Sequence, residues 1–213
     1  MRQTFLLLIL FSILFNCVKK DKTAKPIDYI PNNSELVLKT NNFEGLLTNL
    51  KNNHFANTIN STEYFELVQH KLKPLKHLNS ENEIYISFFT SDSDSLEFTF
   101  ATRFNDSLIN KGTLKNFSVE TLEFKSENIE KYFIENSTLY TFTQDSITVG
   151  SSDLSKLKEL TNNDFEDNKI KTVLDTAADE ASFSVFVNNR LFYKTLIPLD
   201  SIISSNFTNF MAR

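Results

Sequence analysis

The chain carries few histidines and cysteines, two residue types that often serve as metal ligands, as a general base or as a nucleophile. It has one cysteine and three histidines, His54, His70 and His77. The histidines lack the His-x-x-x-His or His-Glu-x-x-His spacing with which one helical face binds zinc. No Gly-x-Ser-x-Gly sequence is present to expose a serine nucleophile on a sharp turn. These residue types predict no catalytic residues and no metal site.

Phosphate and calcium chemistry are equally poorly supported. Gly45, Gly112 and Gly150 are the three glycines of the chain, so no glycine-rich loop is available to surround a nucleotide phosphate. Asp92 and Asp94 are close together, but a calcium loop needs further oxygen ligands and a glycine at its tight bend. We therefore expect no cofactor, and we interpret the two aspartates as part of a hairpin turn.

The one cysteine occupies an informative position near the N-terminus. An 11-residue apolar segment, Phe5–Phe15, follows a short basic start and is too short to cross a bilayer as a helix. Its length is typical of a secretory signal. The sequence Leu14-Phe15-Asn16-Cys17 ends it and resembles the lipobox of bacterial lipoproteins. The resemblance implies that residues 1–16 are a lipoprotein signal peptide and that Cys17 is acylated and becomes the mature N-terminus.

The resemblance extends to the kind of organism and compartment. The Asn-, Lys-, Ile- and Phe-rich composition, together with the lipobox, resembles Bacteroidota (flavobacterial-type) cell-envelope lipoproteins of unknown function. Such a protein is held in the outer membrane by its acyl chains, since two or three chains anchor durably where one does so only marginally. The basic segment Val18–Lys22 differs from the acidic segments that route some of these lipoproteins to the surface. We therefore expect the periplasmic face rather than the cell surface.

A second pattern offers hydroxyl groups for modification. Asp followed by Ser or Thr and then by a small or apolar residue occurs five times, more often than composition alone predicts. The pattern resembles the acceptor motif of the O-glycosylation system of Bacteroidota envelope proteins, and a turn preceding a strand or helix is the alternative interpretation. The candidate hydroxyls are those of Ser95, Ser107, Ser146, Thr176 and Ser201.

The elements that position these residues follow from apolar periodicity. Alternation predicts strands at residues 34–40, 83–90, 95–104, 118–125, 128–134, 138–143, 146–151 and 181–187. Spacings of three and four predict helices from Phe43 to Leu50, up to Pro74, around Leu157 and around Val173. Short polar turns join the strand pairs. The pattern predicts an α+β fold with a largely antiparallel sheet and helices packed on one face.

Domain boundaries follow from composition and from one repeated pattern. Residues 17–28 are polar and are expected to be a tether, and residues 29–180 to be the α+β domain. An alternating strand runs into Asn-Asn at Asn41 and again at Asn188, 147 residues later. This spacing suggests that 181–213 begin a second unit of a duplicated module, in a chain that continues beyond Arg213. A coincidence in an Asn-rich sequence remains the alternative.

These observations lead to a functional hypothesis with two alternatives. A net charge of −5 argues against a nucleic-acid binder, which needs a basic face, and the acylation of Cys17 that the lipobox resemblance implies makes the membrane a partner. We expect a lipid-anchored, non-enzymatic binding or scaffolding module for an envelope protein partner. The alternatives are a carrier of a lipid or other hydrophobic ligand, with a groove lined by Phe88, Phe89, Phe98 and Phe100, and the N-terminal part of a larger enzyme with its active site beyond residue 213.

Overall fold

The computed structural model describes residues 24–43, 45–46, 48, 63–79, 82–105, 107–125, 127–162, 169–174 and 183–188. These residues form an antiparallel sheet of eight strands in the order β4-β5-β6-β7-β3-β2-β1-β8. The α+β class and the antiparallel sheet predicted from the sequence are confirmed.

The strands coincide with the alternating segments of the sequence, and short helices lie between or before them. The strands are β1 (Leu36–Thr40), β2 (Ile84–Thr90), β3 (Leu96–Arg103), β4 (Phe117–Phe124), β5 (Glu127–Ile134), β6 (Ser137–Gln144), β7 (Ile147–Ser151) and β8 (Phe183–Val187). The α-helices are α1 (Glu63–Lys71), α2 (Leu154–Leu160) and α3 (Lys169–Leu174). Three 3₁₀ helices are η1 (Pro26–Tyr29), η2 (Lys73–His77) and η3 (Lys111–Thr113).

Tight turns without glycine join the central hairpins. Asp145 and Ser146, between β6 and β7, both have positive φ, at 50° and 62°. Two consecutive left-handed residues match the right-handed twist of the flanking strands, and short polar side chains tolerate that conformation better than branched ones. The Asp-Ser pair therefore has a structural role in this hairpin, whatever modification its hydroxyl carries.

Helices cover both faces of the sheet, whereas the sequence predicted one face. Val68 of α1 and Leu72, which follows α1, pack with Phe98 of β3 in one core cluster. Leu157 of α2 packs with Ala101 of β3 in another. Because successive residues of a strand point to opposite faces, the two helices lie on opposite sides of β3. For the same reason Thr99, whose side chain lies on the opposite face of β3 from Phe98 and Phe100, is fully buried.

The segment before β1 is part of the fold. Pro26, Ile27, Asp28 and Tyr29 of η1 are all buried. The Asp28 carboxylate accepts a hydrogen bond from the backbone N–H of Lys25 and forms an ion pair with Lys171 of α3. Residues 24 and 26–28, which composition assigned to the tether, are thus buried, and η1 contacts the sheet, whereas Lys25 is exposed. The remainder of that tether, 17–23, lies outside the described residues.

Residues 43, 45, 46 and 48 have helical backbone after β1, and Asn42 lies directly before them. The side-chain oxygen of Asn42 accepts a hydrogen bond from the backbone N–H of Gly45 at 2.8 Å, which is N-cap geometry. The Thr40 hydroxyl at the end of β1 accepts a hydrogen bond from the backbone N–H of Asn42 at 3.1 Å.

β8, the last strand that the structure describes, belongs to the same sheet as the other strands. β8 pairs antiparallel with β1 over five residues, with Leu38 opposite Val185. The sequence placed a domain boundary between residues 180 and 181, but β8 completes the sheet of the preceding domain. Pairing between elements this distant in sequence leaves no local pattern.

Tyr29 provides a pH-dependent contribution to stability. Its ring is fully buried, edge-on to Phe142 at 6.0 Å, and burial followed by the nearby carboxylates of Asp145, Asp28 and Glu127 raises its pKa from 10.0 to about 12. The unfolded chain therefore loses this proton first, so the stabilisation is complete below pH 10 and is lost as the pH rises to 12. We expect the wild-type protein to lose on the order of 2 kcal/mol more stability over this range than the Tyr29→Phe variant.

Urea denaturation of both proteins at pH 8, 10 and 11.5 would measure the difference. Between pH 8 and 10 the stability difference between the two proteins should stay nearly constant, because the tyrosine is neutral in both the folded and the unfolded chain there. Parallel loss of stability in both proteins above pH 10 would refute the assignment.

Candidate functional site: the two edges of the sheet

The sheet ends in two edge strands, and edge strands are where a folded sheet can accept a further strand. At one end lies β4 and at the other β8. Each directs half of its backbone N–H and C=O groups towards its neighbour in the sheet and half outward. Their side chains differ, and this difference distinguishes the two edges as binding surfaces.

The outward groups of β4 can be assigned from one hydrogen bond at its end. The backbone N–H of Glu135 donates to the carbonyl of Asn116 at 2.9 Å. Because antiparallel partners bond at every second residue, the even-numbered residues of β4 bond to β5. The residues with outward backbone groups are Phe117, Val119, Thr121 and Glu123.

Charge protects the β4 edge. Glu120 and Glu123 are both exposed on this strand, and Lys131 of β5 lies 3.2 Å from Glu120. Charged side chains on an edge strand oppose pairing with another copy of the same strand, because like charges opposite one another are destabilising. β4 therefore has the composition of an edge that stays exposed to solvent.

The β8 edge has no such protection. Its sequence, Phe-Ser-Val-Phe-Val, contains no charged residue and no proline. Val185 packs against the same core cluster as Leu38, and Phe186 packs against the cluster that contains Val37. The four residues 184–187 are only partly buried, although both faces of the strand are largely apolar.

The backbone of β8 is assigned in the same way. The N–H of Asn188 donates to the carbonyl of Glu35 at 2.8 Å, so Ser184 and Phe186 bond to β1. Phe183, Val185 and Val187 direct their backbone groups away from β1. In the described part of the chain no strand pairs with this side of β8. An apolar, uncharged edge is the surface that natural sheets otherwise cover or protect.

The buried polar side chains elsewhere are occupied by structural contacts. Glu97 accepts hydrogen bonds from Lys71 at 2.9 Å and from Ser95 at 2.7 Å. Burial raises the pKa of this carboxyl, but the hydrogen bonds from Ser152, Lys71 and Ser95 outweigh it, and the pKa lies below its ordinary value. Tyr132 donates to Glu130, and burial with that carboxylate raises the pKa of the tyrosine. These contacts tie Glu97 and Tyr132 to neighbouring parts of the fold.

The candidate site residues of the sequence are widely separated. Ser107 and Ser146 are exposed, and Ser146 lies near the end of β3, where its carbonyl accepts from the N–H of Phe104 at 2.9 Å. Ser95 lies at the opposite end of β3, partly buried, with its hydroxyl donating to Glu97. Cys17, Thr176 and Ser201 lie outside the described residues.

The phenylalanines considered for a ligand groove are core residues. Phe88, Phe89, Phe98 and Phe100 are all buried, and the rings of Phe88 and Phe98 lie 6.4 Å apart. Among the described residues, no three His, Cys, Asp or Glu side chains are grouped to hold a metal ion. The helices within the same ranges are too short or too polar to span a membrane.

Comparison with family models, with curated proteins and with solved structures finds no match for this chain. The edge of β8 was not recognised in the sequence as a site. The signal that could have identified it was the absence of charge from residues 181–189, in a chain where 23% of the residues are charged.

Proposed function

We propose that the protein is a lipid-anchored, exported envelope protein that acts as a non-enzymatic binding module and binds an extended polypeptide by strand addition at β8. The observation that carries the binding proposal is the contrast between the two edges. β4 has two exposed glutamates. β8 is uncharged, half-buried and largely apolar, and three of its residues direct their backbone N–H and C=O groups outward. The signal sequence and Cys17 support the anchored location.

Strand addition fits these groups chemically. Main-chain hydrogen bonds from Phe183, Val185 and Val187 would supply affinity without a charged contact, and the apolar side chains on each face would be covered by those of the added strand. Burying about 25 cal/mol per Å² of apolar surface favours such a complex. A protein held at the outer membrane in this way would recruit a polypeptide partner to the periplasmic face.

Hydrogen exchange of backbone amides tests the occupancy of the edge. In protein extracted with detergent from its native envelope, we expect the Val185 amide to exchange about tenfold or more slowly than the Thr121 amide of the β4 edge, because a bound strand protects it. Equal exchange rates at the two edges would contradict the proposal.

A pair of proline variants makes the same test by mutation. Val185→Pro removes one outward N–H and leaves the β1 ladder intact, since proline is tolerated at an edge position whose N–H faces away from the sheet. We expect it to abolish a crosslink from position 187 to the partner, while the matched variant Thr121→Pro on β4 preserves the crosslink. Retention of the crosslink in Val185→Pro would refute binding through the β8 backbone. Far-ultraviolet circular dichroism controls for folding.

We also propose O-glycosylation of the exposed Asp-Ser/Thr sites. The exposure of Ser107 and Ser146 supports them as acceptors, whereas Ser95 is engaged with Glu97. In the native protein we expect hexose-type mass increments that fall when Ser107→Ala and Ser146→Gly are combined; glycine at 146 accepts the positive φ of 62°. Ser95→Ala should leave the mass otherwise unchanged. An unaltered modification pattern after replacement of all five hydroxyl residues would exclude glycosylation at this motif.

A further inference from the structure

Two segments of the chain are basic and contain no acidic residue. Residues 67–80 and 107–119 together carry five lysines and no aspartate or glutamate, in a chain with 27 acidic residues and a net charge of −5. Strands β2 and β3 separate the two segments in the sequence. Their proximity is therefore a property of the fold.

Backbone contacts place the two segments side by side. The N–H of Asn110 donates to the carbonyl of His77 at 2.8 Å. Leu78 and Ile109 form an antiparallel bridge next to it. Ile109 is buried in the same core cluster as Val68 of α1, so both segments lie on the side of the sheet that α1 covers.

The apolar side chains of these segments point inward and the lysines point outward. Leu72, Leu75 and Ile109 are buried in that core cluster. Four lysines of the two segments are exposed, and we call them the lysine surface: Lys73, Lys76, Lys111 and Lys115. This surface therefore offers a partner positive charge rather than apolar area.

The lysines lie close together without a counter-charge. Lys73 and Lys76 are three residues apart in the 3₁₀ helix η2, where side chains at that spacing eclipse, so they lie on one side about 6 Å apart along the axis. Like charges at such a spacing are destabilising. In the described part of the chain the lysine surface forms no ion pair, whereas five other lysines do: Lys39, Lys71, Lys131, Lys156 and Lys171.

The acidic residues of the neighbouring strands leave this charge largely unbalanced. Lys111 lies over the ring of Phe117 at 5.4 Å, at the start of β4. Glu130 of β5 pairs with Thr121, four residues further along β4, or about 13 Å. That distance exceeds the Debye length of about 8 Å at physiological ionic strength. Glu135 lies beside the start of β4, and one carboxylate does not neutralise four ammonium groups.

The position of the surface favours a soluble partner over the bilayer. Ala24, the first described residue, packs with Leu157 of α2 in the cluster on the opposite face of the sheet. The proposed anchor at Cys17 precedes Ala24 by seven residues, which span at most about 25 Å. A protein held from that side presents the lysine surface away from the membrane, and this step rests on the proposed anchor.

The chemistry of the surface favours carboxylates over phosphates. Its cations are all lysines, which act as hydrated point charges and lack the planar fork with which arginine binds phosphate. Phosphate sites also use free backbone N–H groups. In η3 the N–H of Gly112 already donates to the side chain of Asn110 at 3.1 Å. Separate point charges match the spaced carboxylates of an acidic polypeptide.

We infer that the lysine surface binds an acidic segment of a second polypeptide, at a site separate from the β8 edge. In an extended segment, carboxylates at alternate positions are about 6.6 Å apart, close to the spacing of Lys73 and Lys76. Binding through exposed charges is sensitive to salt, and the field of the surface accelerates the encounter.

The probe for this inference is a twelve-residue peptide of alternating glutamate and serine, labelled with an uncharged fluorophore for fluorescence anisotropy. We expect saturable binding to the full-length chain in a non-ionic detergent. The affinity should fall about fivefold or more when NaCl is raised from about 20 to 200 mM. A peptide of alternating glutamine and serine is the matched ligand control. Binding that is independent of salt, or equal binding of the glutamine peptide, would overturn the inference.

Two double variants with the same change in net charge locate the site. Lys73→Gln combined with Lys76→Gln should weaken binding of the acidic peptide about fivefold or more, because two ion pairs with the peptide are lost. Lys125→Gln combined with Lys158→Gln removes two lysines that lie over Phe124, on the opposite face, and should leave the affinity within about twofold. Equal losses would indicate a general effect of net charge and overturn the inference. Circular dichroism controls for folding.

A second measurement needs no variant. A water-soluble carbodiimide joins a lysine amine to a carboxylate where the two are in contact, and mass spectrometry then locates the new amide. We expect the acidic peptide to couple to the lysine surface and not to Lys125 or Lys158. Coupling confined to Lys125 and Lys158 would place the peptide on the other face and overturn the inference.

Competition tests other anionic partners. An oligothymidylate of twelve nucleotides, or phosphatidylglycerol in mixed micelles, should displace the acidic peptide less effectively than unlabelled peptide of the same total charge. More effective displacement would assign the surface to phosphate groups and overturn the inference. None of these measurements involves β8. A negative result here therefore leaves strand addition standing, and absence of protection at Val185 leaves this inference standing.

Discussion

Replacement of Gly150 by alanine is expected to lower the free energy of unfolding by about 3 kcal/mol or more, among the largest effects of any single added methyl group. Gly150 lies in β7 opposite Phe100 of β3, and the Phe100 ring packs over it. A Cβ at this position would lie within 2.9 Å of the Cε1, Cζ and Cδ1 ring carbons of Phe100. Real Cβ atoms do not approach ring carbons so closely, so the ring or a central strand must move.

The structure offers little room for that movement. Phe100 is fully buried, and β7 is flanked by β3 and β6 in the middle of the sheet. Protein cores are packed as densely as organic crystals, so a displaced ring must displace its neighbours in turn. For a chain of this size, 3 kcal/mol corresponds to a fall in Tm on the order of 10 °C, which thermal denaturation followed by circular dichroism would detect.

Two controls separate this explanation from a general cost of losing glycine. Gly112→Ala adds the same methyl group where the nearest atom would be at 3.4 Å, an ordinary contact, so its effect should stay within about 0.5 kcal/mol. Phe100→Leu leaves a partial cavity, but combined with Gly150→Ala it removes the overlap. The double variant should therefore be more stable than the sum of the two single effects predicts. If the change in the free energy of unfolding of the double variant equalled the sum of the two single changes, the clash between the Phe100 ring and the Cβ would be refuted.

Replacement of Cys17 by serine is expected to move the protein almost completely from the membrane fraction to the soluble fraction of the envelope. On the proposed acylation, acyl chains on the cysteine would supply the membrane affinity, at about 0.8 kcal/mol per buried CH₂, and serine could not carry the thioether that attaches them. Membrane fractionation with immunoblotting measures the distribution, and the intact mass of the wild-type protein should show acyl chains on a chain that begins at Cys17.

A neighbouring substitution provides the matched control. Lys19→Ser changes the polar segment just after the cysteine and leaves the lipobox and the acylated residue in place, so the protein should remain with the membrane. If the Cys17→Ser variant stayed in the membrane fraction, the proposed acyl anchor would be contradicted. A wild-type mass that showed an unmodified Cys17 would contradict it as well.

The sequence by itself determined the local elements. All eight strands were placed within two residues of their observed bounds, because each is an alternating apolar segment bounded by polar turn residues. The α2 helix was found through Leu154, Leu157 and Leu160, and Asp153 caps it by accepting from the N–H of Lys156. Alternation, spacing and capping act over a few residues, so they can be read along the chain.

The tertiary structure decided what depends on distant residues. Thr99 is polar and alternates as an exposed residue would, yet it is buried, because η1 and α2, which are far apart in the sequence, cover the second face. The overlap at Gly150 arises because the ring of Phe100 reaches it from a strand 50 residues away. Neither contact leaves a local signal.

The same distinction applies to the candidate binding edge. The sequence showed that residues 181–187 form an uncharged strand and that Asn188 repeats Asn41 at an offset of 147. Only the folded sheet placed that strand beside β1, with Val185 opposite Leu38, and left its other side at the edge of the described sheet. Strand order is set by long-range pairing, whose hydrogen bonds connect backbone groups that are alike at every residue. The pattern of side chains therefore identifies a strand, and the tertiary structure alone shows which strand lies at an edge.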